Sequence, residues 1–256
     1  MIRHRELLRI TAIASWAAAL FVARPTPIGA QAPAPAVADT AGARVCGWDG
    51  WLPPEDARRR VRAERPLSAS QEADLRRALL SSSGQRRDAA ARALASGRDS
   101  ATITALLGVA GDSNTVVRDG VLRALGRIGS ARALPALFVA LRDGRKSDRQ
   151  AAAWSLGQIQ SPDAVPALLA ATNDANEHVR TEAVWALGMT GDTTAMPRLR
   201  RMAQTFNEPV RVASACASGW LRARPEPRLL TDSSRIVRAA ARWAEWREAG
   251  SIGGSR

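Results

Sequence analysis

From Arg87 onward the apolar positions follow a helical period rather than a strand period. Taking Arg118 as position zero, residues +3, +4, +6 and +7 are Val121, Leu122, Ala124 and Leu125. At 100° per residue these four share one arc, so the stretch predicts an amphipathic helix with that arc buried. The pattern returns every 31 residues. Val117-Arg118 leads to Ala124-Leu125-Gly126, Arg149 to Ser155-Leu156-Gly157, Val179-Arg180 to Ala186-Leu187-Gly188, and Val210-Arg211 to Ala217-Ser218-Gly219. One step back lies Arg87 with Ala93 and Leu94 in register, and a shortened step forward reaches Val237-Arg238 with Ala244. A second motif follows the first in each unit: Ala133-Leu134-Pro135, Ala164-Val165-Pro166 and Ala195-Met196-Pro197.

Each unit therefore reads as a helix, a turn and a second helix. Gly126, Gly157, Gly188 and Gly219 are expected to stop the first helices, because glycine tolerates a left-handed cap. The prolines fall near the start of the second helices, where a missing N–H costs least. The core positions are small because neighbouring units must stack closely. A single unit cannot bury its own apolar face, whereas a stack can. The predicted fold is all-α: a right-handed α-solenoid of about five to six stacked helix pairs.

Asp112 precedes Arg118 by six residues, as Asp143 precedes Arg149 and Asp174 precedes Arg180. Such a series predicts an Asp–Arg ladder along the stack that fixes register. The repeat region spans 53–248, with Glu55 to Glu64 as a degenerate first helix and Glu72 to Leu79 as a second helix. Arg222 to Ser234 replaces a normal turn and second helix, and Ile236 to Glu248 closes the stack. The Pro/Ala-rich segment 31–52 and the Gly/Ser-rich tail 249–256 read as disordered.

This unit resembles the HEAT-like repeat first noted in phycobilin lyase subunits, over roughly Pro53 to Glu248. The resemblance is specific to fold and implies no single activity, since the repeat serves many unrelated proteins. Deoxyhypusine hydroxylase, another HEAT-type stack, binds iron through His-Glu pairs just after the repeat arginine. The corresponding pairs here are Asp119-Gly120, Gln150-Ala151, Thr181-Glu182 and Val212-Ala213. Only Glu182 matches, so that activity is excluded. Bilin lyases work inside the cell, whereas this chain carries features of export.

Arg3, Arg5 and Arg9 precede an uncharged run from Ile10 to Ala23, and Ala30-Gln31-Ala32 has the form of a cleavage site. A cut after Ala30 fits equally well, because the alternative leaves Pro33 first. Residues 1–30 thus read as a signal peptide, and an uncleaved anchor is the other reading. The expected address is the periplasm or the extracellular space, with no stable membrane insertion after cleavage. Formal net charge is +13, carried almost wholly by arginine, and about +10 remains after cleavage. Export points away from nucleic acid as a target.

Candidate chemistry is sparse. The two histidines are His4 and His178, and tyrosine is absent. No metal-ligand cluster, phosphate loop or nucleophile constellation emerges, so neither cofactor, metal nor catalytic residue is expected. Positions +1, +5, +9 and +2 lie opposite the core arc. The +5 series reads Arg92, Arg123, Trp154, Trp185, Cys216 and Trp243, and the +9 series includes Arg127, Gln158, Met189 and Trp220. Tryptophan, methionine and arginine are enriched at interface centres. The strip Arg92, Arg123, Arg127, Trp154, Gln158, Trp185, Met189 and Trp220 is therefore the expected binding surface for a protein or peptide partner of acidic character, on a monomeric scaffold. A competing reading packs the tryptophans under the repeat edges or against the N-terminal segment, where the motif Arg44 to Trp51 would bring Cys46 to Cys216 for a disulfide. Two other functions stay open: an accessory or lyase-like factor acting on a protein substrate, and an arginine-driven binder of anionic envelope polymers.

Overall fold

The computed structural model describes residues 42, 45–46, 67–97, 99–205 and 207–253. The predicted signal peptide, the predicted helix at Glu55 to Glu64 and most of segment 31–52 lie outside the described residues.

Helix α1 (Ala69–Ala78) is the second helix of an N-terminal cap. The first helices of successive units are α2 (Gly84–Ala93), α4 (Thr115–Ile128), α6 (Lys146–Ile159), α8 (Glu177–Met189), α10 (Glu208–Trp220) and α11 (Arg235–Gly253). The second helices are α3 (Ser100–Gly108), α5 (Leu134–Asp143), α7 (Val165–Ala171) and α9 (Met196–Met202). A 3₁₀ turn, Pro227–Thr231, stands where the sixth second helix is missing, within the stretch that the sequence marked as irregular. Helix α11 runs to Gly253, so part of the Gly/Ser-rich tail is helical rather than disordered. Consecutive first helices pack against each other far more extensively than consecutive second helices do. The solenoid thus has an inner layer of first helices and an outer layer of second helices.

Local sequence sets the helix starts. Four residues before the repeat arginine, Asn114, Asn176 and Asn207 accept backbone N–H groups as N-caps. An asparagine there satisfies donors that the first turn leaves orphaned. The same position in α6 is Arg145, which makes no such bond. Pro135, Pro166 and Pro197 occupy the first turns of α5, α7 and α9, each after a short 3₁₀ turn capped by Ser130, Ser161 or Asp192. In α4, α6, α8 and α10 the residues at +3, +4, +6 and +7 are all buried.

The repeated glycines do not stop the first helices. Gly126, Gly157, Gly188 and Gly219 lie inside helices that continue past them to Ile128, Ile159, Met189 and Trp220. At Gly126, Gly188 and Gly219 the role is close approach. A Cβ on Gly126 would sit 2.6 Å from the Cα of Ser155, and one on Gly188 would sit 2.6 Å from the Cα of Ala217. At Gly219 it would lie 2.5 Å from the Trp243 ring and 3.0 Å from the Cα of Ala244. Position +8 of one unit therefore presses its backbone onto +6 of the next. The left-handed caps lie farther on, at Gly129 (φ 73°) and Gln160 (φ 56°).

The Asp–Arg ladder is present, with altered rungs. Arg87 donates through Nε and Nη2 to Asp112 (2.7 and 2.9 Å), Arg149 likewise to Asp174 (2.6 and 3.0 Å), and Arg211 to Asp232 (2.7 and 3.0 Å). Each arginine turns Nη1 back to carbonyls of its own inter-unit turn, as Arg180 does to Asp174 (2.7 Å) and Ala175 (2.9 Å). The rung from Arg118 departs from the prediction. Its Nε reaches Asp148 at 2.9 Å, and the side chain of Asp143 lies outside the described residues. Hydrogen bonds from the arginines hold Asp112, Asp174 and Asp232 below the ordinary carboxylate range, against the opposing effect of desolvation.

Candidate functional site

The candidate surface is the inner row formed by positions +1, +5 and +9. The exposure of its +5 series falls along the stack. Arg92 and Arg127 are exposed; Arg123, Trp154, Gln158 and Trp185 are half-buried. Beyond them, Met189 is 1% exposed, Cys216 0%, Trp220 5% and Trp243 5%. Met189 and Trp220 are thus corrected from surface to interior.

At the closed end of the row lies the chain's own N-terminal segment. Cys46 and Cys216 form a disulfide, with Cα atoms 5.2 Å apart and 170 residues between them in sequence. Gly42 lies so close to α11 that a Cβ there would meet the carbonyl oxygen of Ala239 and the Cβ of Trp243. Ala239 and Trp243 are the +1 and +5 residues of the last unit, and Cys216 is the +5 residue of the unit before. Gly42, Val45 and Cys46 are helical, and Val45 packs on the core. A short helical stretch therefore lies on the inner row at its C-terminal end and is bonded to it. This arrangement matches the competing reading at units five and six. The predicted binding strip keeps its exposure only toward the N-terminal end.

Ring contacts continue along the row. Trp185 and Trp220 have centroids 5.0 Å apart and an interplanar angle of 44°. The Arg123 guanidinium lies over the Trp154 ring at 5.3 Å, a cation–π distance. At the closed end Arg247 stacks on Trp243 at 5.4 Å and donates to the Gly219 carbonyl.

The basic border is partly compensated. Arg92 Nε donates to both oxygens of Asp88 (2.9 and 3.0 Å), and Arg123 Nε to both oxygens of Asp119 (3.1 Å each). The Asp88 hydrogen bond raises the Arg92 pKa above its ordinary value. Asp88 and Asp119 occupy +1, one helical turn before +5, so this i, i+4 pairing was legible in the sequence. Reading +5 and +9 without +1 overlooked it. Farther along, Gln150 at +1 donates to Glu182 of the next unit at 3.3 Å.

Among the described residues no group of three or more histidine, cysteine, aspartate or glutamate side chains could hold a metal ion. His178 is exposed at the start of α8. No described helix is long and apolar enough to cross a membrane.

The HEAT-repeat family model matches residues 72–148 and 135–218, together more than half of the chain. The chain belongs to the HEAT-repeat family. Solved HEAT and armadillo structures agree in architecture. One is the complex of CpcE and CpcF of phycocyanin lyase from Nostoc sp. PCC7120, at 27% identity and TM-score 0.52, covering 62% of this chain and 67% of that one. Another is a designed armadillo repeat protein in complex with the peptide (KR)4, at 20% identity and TM-score 0.52, covering 68% and 98%. An engineered protein matches at 20% identity and TM-score 0.51, covering 73% and 98%. A comparison with curated proteins finds no match. The HEAT-repeat assignment accounts for the ladder, the prolines and the small core residues.

Proposed function

We propose that this HEAT-repeat protein is an exported, non-catalytic scaffold that binds a protein or peptide partner along the open part of its inner row. That part runs from Arg92 and Arg127, past the Arg123–Trp154 stack and Gln158, to Trp185. The carrying observation is the exposure gradient. At one end the row holds residues of its own N-terminal segment, with Gly42 against Trp243 and Cys46 bonded to Cys216. The same kind of groove, formed by the same repeat positions, continues toward the other end with exposed arginines beside half-buried tryptophan. Half-buried aromatics bordered by arginine are the usual centre of a recognition surface. The partner is a segment with an apolar centre that meets Trp154 and Trp185. Its acidic end meets the arginine border formed by Arg92, Arg123 and Arg127, of which Arg92 and Arg127 are exposed.

The export part of the proposal rests on the apolar run from Ile10 to Ala23 and on the Cys46–Cys216 disulfide, which suits an oxidising compartment. Ion pairing at Asp88 and Asp119 disfavours the reading as an arginine-driven binder of anionic polymers. The similarity to the phycocyanin lyase complex favours a second reading, an accessory factor acting on a protein substrate.

Site-specific photo-crosslinking in cells tests the scaffold reading. Crosslinkers at positions 92 and 127 should trap one common partner. A crosslinker at Arg142, exposed on the outer helix α5, should not. Equal trapping from all three positions, or none from 92 and 127, would overturn it. Transfer of a bilin or another group to the trapped partner would favour the accessory-factor reading instead.

A further inference from the structure

The ladder has an interior gap. At the register position held by Asp112, Asp174 and the later Asp232, the turn between α9 and α10 carries Thr205. Arg180 keeps the pose of its sister arginines, with Nη1 on the carbonyls of Asp174 and Ala175. In Arg87, Arg149 and Arg211 the Nε and Nη2 edge grips a carboxylate of the next unit. Opposite Arg180, the Thr205 hydroxyl instead donates to the Met202 carbonyl at 3.0 Å. A cleft of about 570 Å³ opens there, lined by Arg180, Thr172, Asn173, Thr205 and Asn207 among others.

The surroundings favour an anion. Asp174 is the acid lining this cleft, and Arg149 on the neighbouring unit already engages both its oxygens. Arg198 reaches this cleft's turn from α9, donating Nε to Thr172 Oγ1 at 2.6 Å and Nη2 to Asn173. Desolvation first, and then the charge of Arg201, lower the Arg198 pKa.

We propose that the Arg180 cleft binds a carboxylate, which completes the missing rung from outside the chain. Three sister sites show the planar, two-point grip that this edge of arginine makes on Asp, and such a grip selects carboxylate geometry. The carboxylate comes either from a small free acid or from an acidic side chain of a bound protein. The site lies on the ridge of inter-unit turns rather than on the inner row, so it stands or falls independently of the scaffold reading.

The test combines a repair and a titration on the full chain. Thr205→Asp restores the internal carboxylate and should raise the unfolding midpoint by about 2–4 °C. Acetate replacing chloride at constant ionic strength should shift the Arg180 Nε–H resonance of the wild type. It should leave that resonance unmoved in Thr205→Asp, and it should stabilise the wild type but not Arg180→Gln. A capped peptide with a single glutamate that shifts the resonance at lower concentration than acetate identifies a protein side chain as the source. Equal potency identifies a free acid. Identical acetate responses in wild type and Arg180→Gln would overturn the proposal, as would a response to phosphate without one to acetate.

Discussion

Replacing Gly126 with alanine distinguishes close approach from helix termination. In an unobstructed helix interior the change would stabilise, because alanine exceeds glycine in helix propensity by about 1 kcal/mol. Here the new Cβ would stand 2.6 Å from both the Cα and the Cβ of Ser155 and 2.8 Å from its Oγ. Carbon atoms rest at about 3.5–4.0 Å, so α4 and α6 must separate by roughly an ångström. Two of the obstructing atoms belong to backbone or Cβ and cannot rotate aside. Overpacking of this kind costs about 1–3 kcal/mol, and obstruction by backbone places Gly126 toward the upper part of that range. Separation also disturbs Ser155 Oγ, which bonds the Leu122 carbonyl across the interface at 2.8 Å and the Ala151 carbonyl at 2.7 Å. After subtracting the propensity gain, the expected net loss is about 1–2 kcal/mol, a fall in midpoint of about 2–8 °C. Gly108→Ala is the matched control. It makes the same chemical change at the last residue of α3, where a Cβ would meet nothing within 4 Å. That variant should gain up to about 1 kcal/mol. Both are measured by thermal and urea unfolding followed by circular dichroism, with slopes compared because repeat stacks need not unfold in one step. A Gly126→Ala variant as stable as Gly108→Ala would refute the close-approach account.

Three further outcomes follow from the same geometry. Reduction of the disulfide, or Cys46→Ser with Cys216→Ser, should cost up to about 5 kcal/mol by the loop-closure estimate for so long a loop. It should also shift tryptophan emission to the red as Trp243 loses the cover of the segment at Gly42, whereas unchanged emission would mean that the segment stays docked without its bond. Stability should be full above about pH 5, where unfolded aspartates are almost wholly ionised, and should fall as acid protonates Asp112, Asp174, Asp232 and Asp99. The Thr102 hydroxyl first, and then other hydrogen bonds, hold Asp99 at about 2. Because these folded pKa values are depressed, the loss runs downward from the unfolded pKa to the folded one; an acid midpoint unchanged in Asp174→Asn would argue against a ladder contribution. That substitution should itself cost about 2 kcal/mol at neutral pH, since it breaks charged hydrogen bonds at a partly buried site, with a loss below a few tenths counting against it.

The repeat, its helix pairs, the core arc and the prolines at second-helix starts were legible in the sequence, because each depends on local period and backbone chemistry that recur every 31 residues. The Asp–Arg register was legible for the same reason, since a fixed spacing within a periodic stack becomes a fixed distance between neighbours. Only the tertiary structure decided why the glycines recur. A missing side chain suits a turn or a tight contact equally, and the choice depends on what the next helix brings opposite. It also decided that Met189 and Trp220 are interior while Arg92 and Arg127 remain outside. Helical geometry places all four on one face, but burial depends on how neighbouring helices pack there and on where a distant segment returns. Here that return is marked by a bond between cysteines 170 residues apart, a pairing that no local period encodes.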